Sequence, residues 1–267
     1  MNVWHAIVLG IVQGVTEFLP ISSDGHLAVA YHALGMRPDL TFEVFLHGAT
    51  LLAMLAYFRQ DLRAVARAIA SRRPEDQHER LLAARIAGVT VVSAAVALAI
   101  SPLVEPAAES LPWIGAGFFL TSALMLAAEL SRRASGRIDG AALGPVAVVL
   151  VGVLQGLAAL PGVSRSGSTI SAGMLSGLSR QSAARFSFLC GIPIIALAAA
   201  RDAVGLLTGA TVLPGIAPSA AGFVAAAVSG YLAIAALLGL VKRHGLWVFS
   251  AYTALLGAGM LVLAARS

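Results

Sequence analysis

The sequence predicts an all-α polytopic membrane protein: six transmembrane helices plus two re-entrant helical hairpins, arranged as an inverted-topology repeat. Three observations carry this. Hydrophobic residues make up 58% of the 267-residue chain and charged residues only 12%, where soluble domains carry roughly 25% charged residues, and the mean hydropathy is +0.87. Six stretches stay apolar over about 20 residues, the length that covers roughly 30 Å of hydrocarbon. A polar motif near the start of the chain also returns in its second half.

The elements follow in order. Residues 2–18 are helical in character, and the next segment, HLAVAYHALG (26–35), is too short to cross before Pro38. The pair is expected to dip to mid-membrane and return to its own side. Full spans are expected at about 40–58, 83–101 and 112–130. Residues 142–160 open a second hairpin, whose returning arm, STISAGMLSGL (168–178), is again too short to cross. Spans at about 183–200, 216–240 and 246–264 complete a single membrane domain. Non-helical backbone is tolerated at membrane depth only inside protein or along a wet cavity. The opening MNVWHAIVLG lacks the basic n-region of a secretory signal and is expected in the mature protein.

Basic residues orient the chain. Arg59, Arg63, Arg67, Arg72, Arg73, Arg80 and Arg85 fall in one connection, and the later connections on the same side hold Arg132, Arg133, Arg137, Arg180, Arg185, Lys242 and Arg243. Against these fourteen, the other side holds Arg37, Arg201 and Arg266. The first group is therefore cytoplasmic and the N-terminus outside. The count works only if both hairpins make no crossing or both cross fully, and their short second arms favour none. Arg59, Arg63 and Arg67, at helical spacing, are expected to lie along the inner surface. The net charge of +5 does not indicate nucleic acid, because no basic stripe interleaves with aromatics. The lone cysteine, Cys190, rules out an intramolecular disulfide and reads as a small buried thiol.

The returning motif defines the repeat. QGVTEFLPISSDGH (13–26) is echoed by QGLAALPGVSRSG (155–167): Gly10, Gln13, Gly14, Ser22 and Gly25 match Gly152, Gln155, Gly156, Ser164 and Gly167 at a constant offset. FLHG (45–48) parallels FLCG (188–191) with a one-residue slip. Repeat 1 runs over about 1–130 and repeat 2 over about 142–267. Three spans separate the motifs, and an odd number inverts the second copy. Inverted repeats meet near the midplane around a substrate site built on broken helices.

The chemistry of the two tips suits an anion. Each turn precedes a short returning helix, so two helix N-termini point toward the membrane centre and favour a phosphate. Arg165 adds a planar fork for phosphate oxygens. Ser164, Ser166, Ser168 and Thr169 offer hydroxyls or cap the helix. Glu17 at that depth costs about 2.5–3.5 kcal/mol on insertion scales. It either pairs with Arg165 across the repeat, binds a metal, or orients a catalytic group. His26 lies three residues after Ser23, and Asp24 is expected to cap a helix starting near residue 26. Glu43 and His47, four apart on the first full span, are further candidates to face the site. His5, His32, His78 and His244 are assigned no chemistry.

GxxQGxTEFLPISSxGH together with LPGxSRSGxTIS resembles the bacterial undecaprenyl-diphosphatase family, the bacitracin-resistance phosphatases, over essentially the whole chain. The resemblance implies hydrolysis of undecaprenyl diphosphate to undecaprenyl phosphate and phosphate, mainly at the outer face of the plasma (inner) membrane, recycling the lipid carrier for peptidoglycan synthesis. Carried over by position, Glu17, Ser23, His26 and Arg165 are the expected catalytic residues. Ser22, Gly25, Ser164, Ser166, Gly167 and Thr169 are the expected substrate contacts. The resemblance also implies a divalent cation, Mg2+ or Ca2+, through Glu17 and Gln13. Two positions depart from the family pattern: members commonly have Glu at position 13 and Thr at position 24.

Ser23 is the favoured nucleophile with His26 as base; His26 could instead attack or activate water, with Glu17 orienting it. Arg165 and the tip N–H groups would stabilise charge in the transition state. An acid-phosphatase-type site is excluded, because the sixth residue after Arg165 is Ser171 rather than the required histidine. The alternative reading is a polyprenyl-phosphate carrier or flippase using the same inverted-repeat site.

Overall fold

The structure is a computed structural model that describes residues 1–71, 73–131, 138–207 and 212–266. Arg72, Arg132, Arg133 and Arg137, four of the residues used to orient the chain, lie outside the described residues, as does the Arg201 side chain. The helices are α1 (Val3–Phe18), α2 (Ser23–Ala33), α3 (Leu40–Tyr57), α4 (Arg59–Ser71), α5 (Gln77–Ala108), α6 (Leu111–Leu130), α7 (Pro145–Leu157), α8 (Arg165–Leu175), α9 (Arg180–Leu207), α10 (Ile216–His244) and α11 (Trp247–Ala264). Short 3-10 turns sit at Pro74–Asp76 and Gly140–Ala142.

Among the described residues, six helical stretches are long and apolar enough to cross a bilayer: α3, Pro74–Ala108, α6, Arg180–Ala200, α10 and α11. They coincide with the six expected spans, and the chain is a multi-pass membrane protein. Large apolar side chains such as Val91, Leu98, Ile216 and Leu255 are open on the outer surface, where a bilayer rather than water satisfies them. Capping follows the sequence. Asn2 accepts from the His5 N–H at 2.8 Å and Asp39 from the Phe42 N–H at 3.0 Å, while Pro112 and Pro145 open α6 and α7 where a missing N–H costs nothing. In α4 only Ala68 is buried, as a surface-lying basic helix requires.

The two short units have the hairpin form. Helix α1 has 16 residues and α7 has 13, and each is followed by an 11-residue partner, α2 or α8. Met1 at the start of α1 and Leu34 and Met36 just past α2 belong to one apolar cluster, along with Leu213 and Phe223 near the start of α10. Ile138, before α7, bridges Leu178, after α8. Each unit therefore begins and ends at the same end of the molecule. The second opens at the opposite end from the first, near the C-terminus of α10. There the buried Glu129 carboxylate accepts from Arg180 Nε at 2.9 Å and from the Leu246 N–H at 2.8 Å. The ion pair Arg185–Asp61 is at the same end.

Glycines let the first helix of each unit sit on a helix of the other half of the chain. A Cβ on Gly10 would meet the Gly222 carbonyl oxygen at 2.3 Å, and one on Gly14 the Ala226 oxygen at 2.4 Å, both on α10. On α7, a Cβ on Gly152 would meet Val92 Cβ at 2.6 Å, and one on Gly156 Val96 Cβ at 2.6 Å, both on α5. These are the glycines that the repeat equates. A Cβ on Gly115 of α6 would lie 3.1 Å from the Gly257 carbonyl oxygen of α11, and one on Gly257 3.0 Å from that of Gly115.

Candidate functional site

The two breaks in the hairpins meet. Leu19 to Ser22 carry the chain between α1 and α2, and Ser22 has φ 68°, the only non-glycine positive φ among the described residues. Such a conformation costs about 1–3 kcal/mol and persists only when surroundings enforce it. It lets α2 begin at Ser23, directly below the end of α1. At the other tip Ser164 is the N-cap of α8, its Oγ accepting from the Gly167 N–H at 3.1 Å and its own N–H donating to Thr121 Oγ1 at 2.9 Å. Ser166 Oγ donates to the Leu19 carbonyl at 3.0 Å, joining tip to tip.

Glu17 is the centre of the junction. Its side chain is 6% exposed, and Arg165, across the tip interface, donates from Nη2 to Oε1 at 2.6 Å. On the other oxygen, Oε2, Ser23 Oγ–H donates at 2.9 Å, Gln13 Nε2 donates at 3.1 Å, and His47 Nε2 stands at 3.5 Å. The ion pair left open by the sequence forms. It balances a carboxylate that could not be buried alone without using up Arg165: Nη1 is buried and has no hydrogen-bond partner within the protein. Room for that nitrogen comes from Gly191 of α9, where a Cβ would lie 2.4 Å from it.

A cavity of about 280 Å³ opens over this group, lined by Glu17, Ser22, Ser23, Asp24, Ser164 and Arg165, with His47, Gln155 and Ser93 also on its wall. The first residues of α2 and α8 both border it, so the positive ends of two helices converge on one space.

Not every expected residue is brought here. His26 lies on a neighbouring cavity of about 430 Å³. Its Nδ1 donates to the Ser22 carbonyl at 2.7 Å, which leaves Nε2 to accept from Tyr252 Oη–H at 2.7 Å. Both nitrogens are engaged, so Ser23 finds its partner in Glu17 rather than in His26. Gly25 borders that same second cavity, where Phe118 packs so closely that a Cβ would lie 2.6 Å from its ring. Thr169 bonds the Arg165 carbonyl at 2.8 Å and Ser187 Oγ. Gly167 packs on Thr121, its place for a Cβ only 3.0 Å from Thr121 Cγ2. Ser166 and Thr169 thus brace α8, while Ser164 and Arg165 face the cavity.

Asp24 is the second residue of α2, inside its first turn, and not the expected cap, because the helix starts three residues earlier than the sequence suggested. Sequence reasoning gave no sign of Tyr252 or of Thr121. Gly191 was visible only as the last letter of the FLHG/FLCG echo.

Comparison with known proteins gives the family. The family model described as "Bacitracin resistance protein BacA" matches residues 6–259. A protein named undecaprenyl-diphosphatase from Gemmatimonas aurantiaca is 42% identical, with 96% of each chain covered. One of the same name from Syntrophotalea carbinolica is 41% identical, covering 96% of this chain and 97% of its own. Another, from Carboxydothermus hydrogenoformans, is 38% identical over 99% and 98% of the two chains. With the two motifs joined at one buried junction and the match running nearly end to end, the chain belongs to the bacitracin resistance protein BacA family.

Proposed function

We propose that this protein hydrolyses undecaprenyl diphosphate to undecaprenyl phosphate and phosphate at the junction of the two hairpin tips. The observation that carries the reading is the chain of contacts Ser23–Glu17–Arg165, in which a hydroxyl, a carboxylate and a guanidinium from both halves of the sequence border one cavity. The names of the relatives support the substrate.

The terminal phosphate would sit between the N-termini of α2 and α8, with the free Nη1 of Arg165 as its charged donor. Ser23 Oγ attacks the terminal phosphorus in line with the bridging oxygen. Its proton passes to Glu17 Oε2, which already accepts that hydrogen bond, and the bond to the bridging oxygen breaks to release undecaprenyl phosphate. Water then cleaves the phosphoserine and regenerates Ser23. His26 keeps its place as a catalytic residue through the resemblance; activating that water would require its Nε2 to exchange Tyr252 for the water.

The expected divalent cation can be tested against the residues present. Gln13 turns its amide nitrogen, a donor, toward Glu17, and the guanidinium of Arg165 covers the other carboxylate oxygen. Among the described residues no group of three or more His, Cys, Asp or Glu is arranged to hold a metal. Glu17 and Gln13 do not fit a protein-held ion, and no step is routed through one.

The polyprenyl stem is assigned to an apolar cavity of about 700 Å³ that shares Asp24 with the central one and reaches Pro38, Leu111 and Leu263. Those residues lie in or beside connections expected outside, which supports access from the outer face of the inner membrane. We further propose that the hairpins are re-entrant and the two halves an inverted repeat, about 1–130 and 142–267, supported by the paired glycine contacts. The purified protein in detergent should release phosphate from undecaprenyl diphosphate, and Ser23→Ala should release almost none. Wild-type turnover in Ser23→Ala would remove Ser23 as nucleophile.

A further inference from the structure

His47 lies on α3, outside both tip motifs, and the hydrolysis described above does not use it. It nevertheless borders the central cavity. Its Nδ1 is 3.0 Å from the Glu43 carbonyl, one turn back on the same helix. A carbonyl only accepts, so Nδ1 carries a proton, and Nε2 faces Glu17 Oε2 at 3.5 Å, where the ring donates to the carboxylate in its doubly protonated form. Helix α3 packs on α1, α9 and α10, so the ring is presented by a rigid full-length span rather than by a tip. The oxygen it faces is the one that accepts the Ser23 hydroxyl.

Arg165 fixes Oε1 of Glu17, while Gln13 and Ser23 both donate to Oε2. Ser23 gives up that hydrogen bond as its proton transfers and its oxygen bonds phosphorus, which leaves Gln13 to hold Oε2. His47 is the further side chain within reach of that oxygen. The charged groups around the ring are Glu17 on α1, Asp24 on α2, Glu43 on its own helix, and Arg165 on α8.

We infer that His47 is a positioning residue for the hydrolysis: from α3 it holds Oε2 of Glu17 in line to take the proton of Ser23. This rests on the phosphatase reading above, and the test separates the two. A side chain that retains an N–H donor of similar reach should do the same work, and an apolar one of similar size should not. Displacing a reacting group by about 1 Å costs about 10²-fold in rate. His47→Leu should therefore lower kcat by about 10- to 100-fold while KM for undecaprenyl diphosphate changes by less than about threefold, because the anion-holding groups are untouched. His47→Gln should restore kcat to within about fivefold of wild type, on the same positional scale. In a Glu17→Gln background, His47→Leu should cause no further loss, because the two act as one unit.

The measurements are steady-state phosphate release for the single and double variants, with thermal unfolding in detergent recorded alongside. Full kcat in His47→Leu overturns the inference while leaving the phosphatase reading intact. A loss that Gln does not repair, or one that tracks a lowered melting temperature, also overturns it, assigning His47 to packing. A wild-type protein that releases no phosphate refutes the phosphatase reading itself and this inference with it.

Discussion

Gly191→Ala places a methyl group against Nη1 of Arg165, a buried guanidinium nitrogen with no hydrogen-bond partner within the protein. The new Cβ would lie 2.4 Å from Nη1, 3.0 Å from Cζ and 3.2 Å from Met54 Cε. A comfortable separation is about 3.5 Å, so the end of Arg165 must withdraw by about 1 Å. Arginine is long and the backbone of α8 need not move, and alanine gains about 1 kcal/mol over glycine in a helix interior. Stability should therefore stay close to wild type. Catalysis should not. Misplacement by about 1 Å costs about 10²-fold, equivalent to about 2.7 kcal/mol of transition-state stabilisation. Initial rates of phosphate release at saturating substrate, with a melting curve for the same preparation, measure both quantities. A variant that melts like wild type but turns over about a hundredfold more slowly fits the account. Wild-type turnover would show that Nη1 is not the donor for the transferred phosphate, and parallel loss of stability and activity would mean that Gly191 serves helix packing instead.

Other outcomes follow from the same contacts. Arg165→Lys should fold but lose about 10²-fold or more in kcat, because an ammonium cannot hold Glu17 and a phosphate oxygen with separate fixed donors; phosphate release on purified, monodisperse protein checks it. Gln13→Glu replaces the amide that donates to Glu17 with a second carboxylate about one helical turn away; a Mg2+ or Ca2+ titration of phosphate release should find a response in the variant that wild type lacks, and identical titrations would show that position 13 makes no ion site even as a carboxylate. Glu129→Ala should destabilise by about 1–3 kcal/mol, since it leaves the Leu246 N–H without its acceptor while the part-exposed Arg180 turns to water; thermal unfolding reads this directly. Arg37→Cys should be labelled by an impermeant reagent from outside and Arg63→Cys only from the cytoplasm, with Cys190 silent because it is buried.

Much of this architecture was legible in the chain. Membrane spans announce themselves by composition alone, because hydrocarbon leaves no other way to satisfy twenty consecutive apolar residues. The two short helix pairs were legible because 26–35 and 168–178 are too short to cross, and the motif glycines because they stand where helices touch. The pairing of Glu17 with Arg165 could be anticipated, since a lone carboxylate in an apolar chain needs a partner.

What could not be read were orientations. Ser23 and His26 are three apart and looked like partners, yet the positive φ at Ser22 starts α2 early, sending the serine to Glu17 and the imidazole to Tyr252. Nothing in the sequence links residue 26 to residue 252, because that contact depends on where α11, packed on α6, stands relative to α2. His47 sat at a spacing compatible with the site, but its direction depends on the packing of α3 against α1. Helix caps were ambiguous for the same reason: Asp24 is chemically a good cap, and only the backbone at Ser22 decides that it falls inside the first turn.

The most direct test is to reconstitute the purified protein into liposomes containing undecaprenyl diphosphate and follow, in the same preparation, phosphate release and movement of the lipid between leaflets. The account predicts stoichiometric conversion to undecaprenyl phosphate and phosphate, abolished by Ser23→Ala and slowed by about 10²- to 10⁴-fold by Glu17→Gln. Movement of intact undecaprenyl diphosphate with no phosphate released would contradict it, and would make the buried Arg165–Glu17 junction the binding site of a carrier.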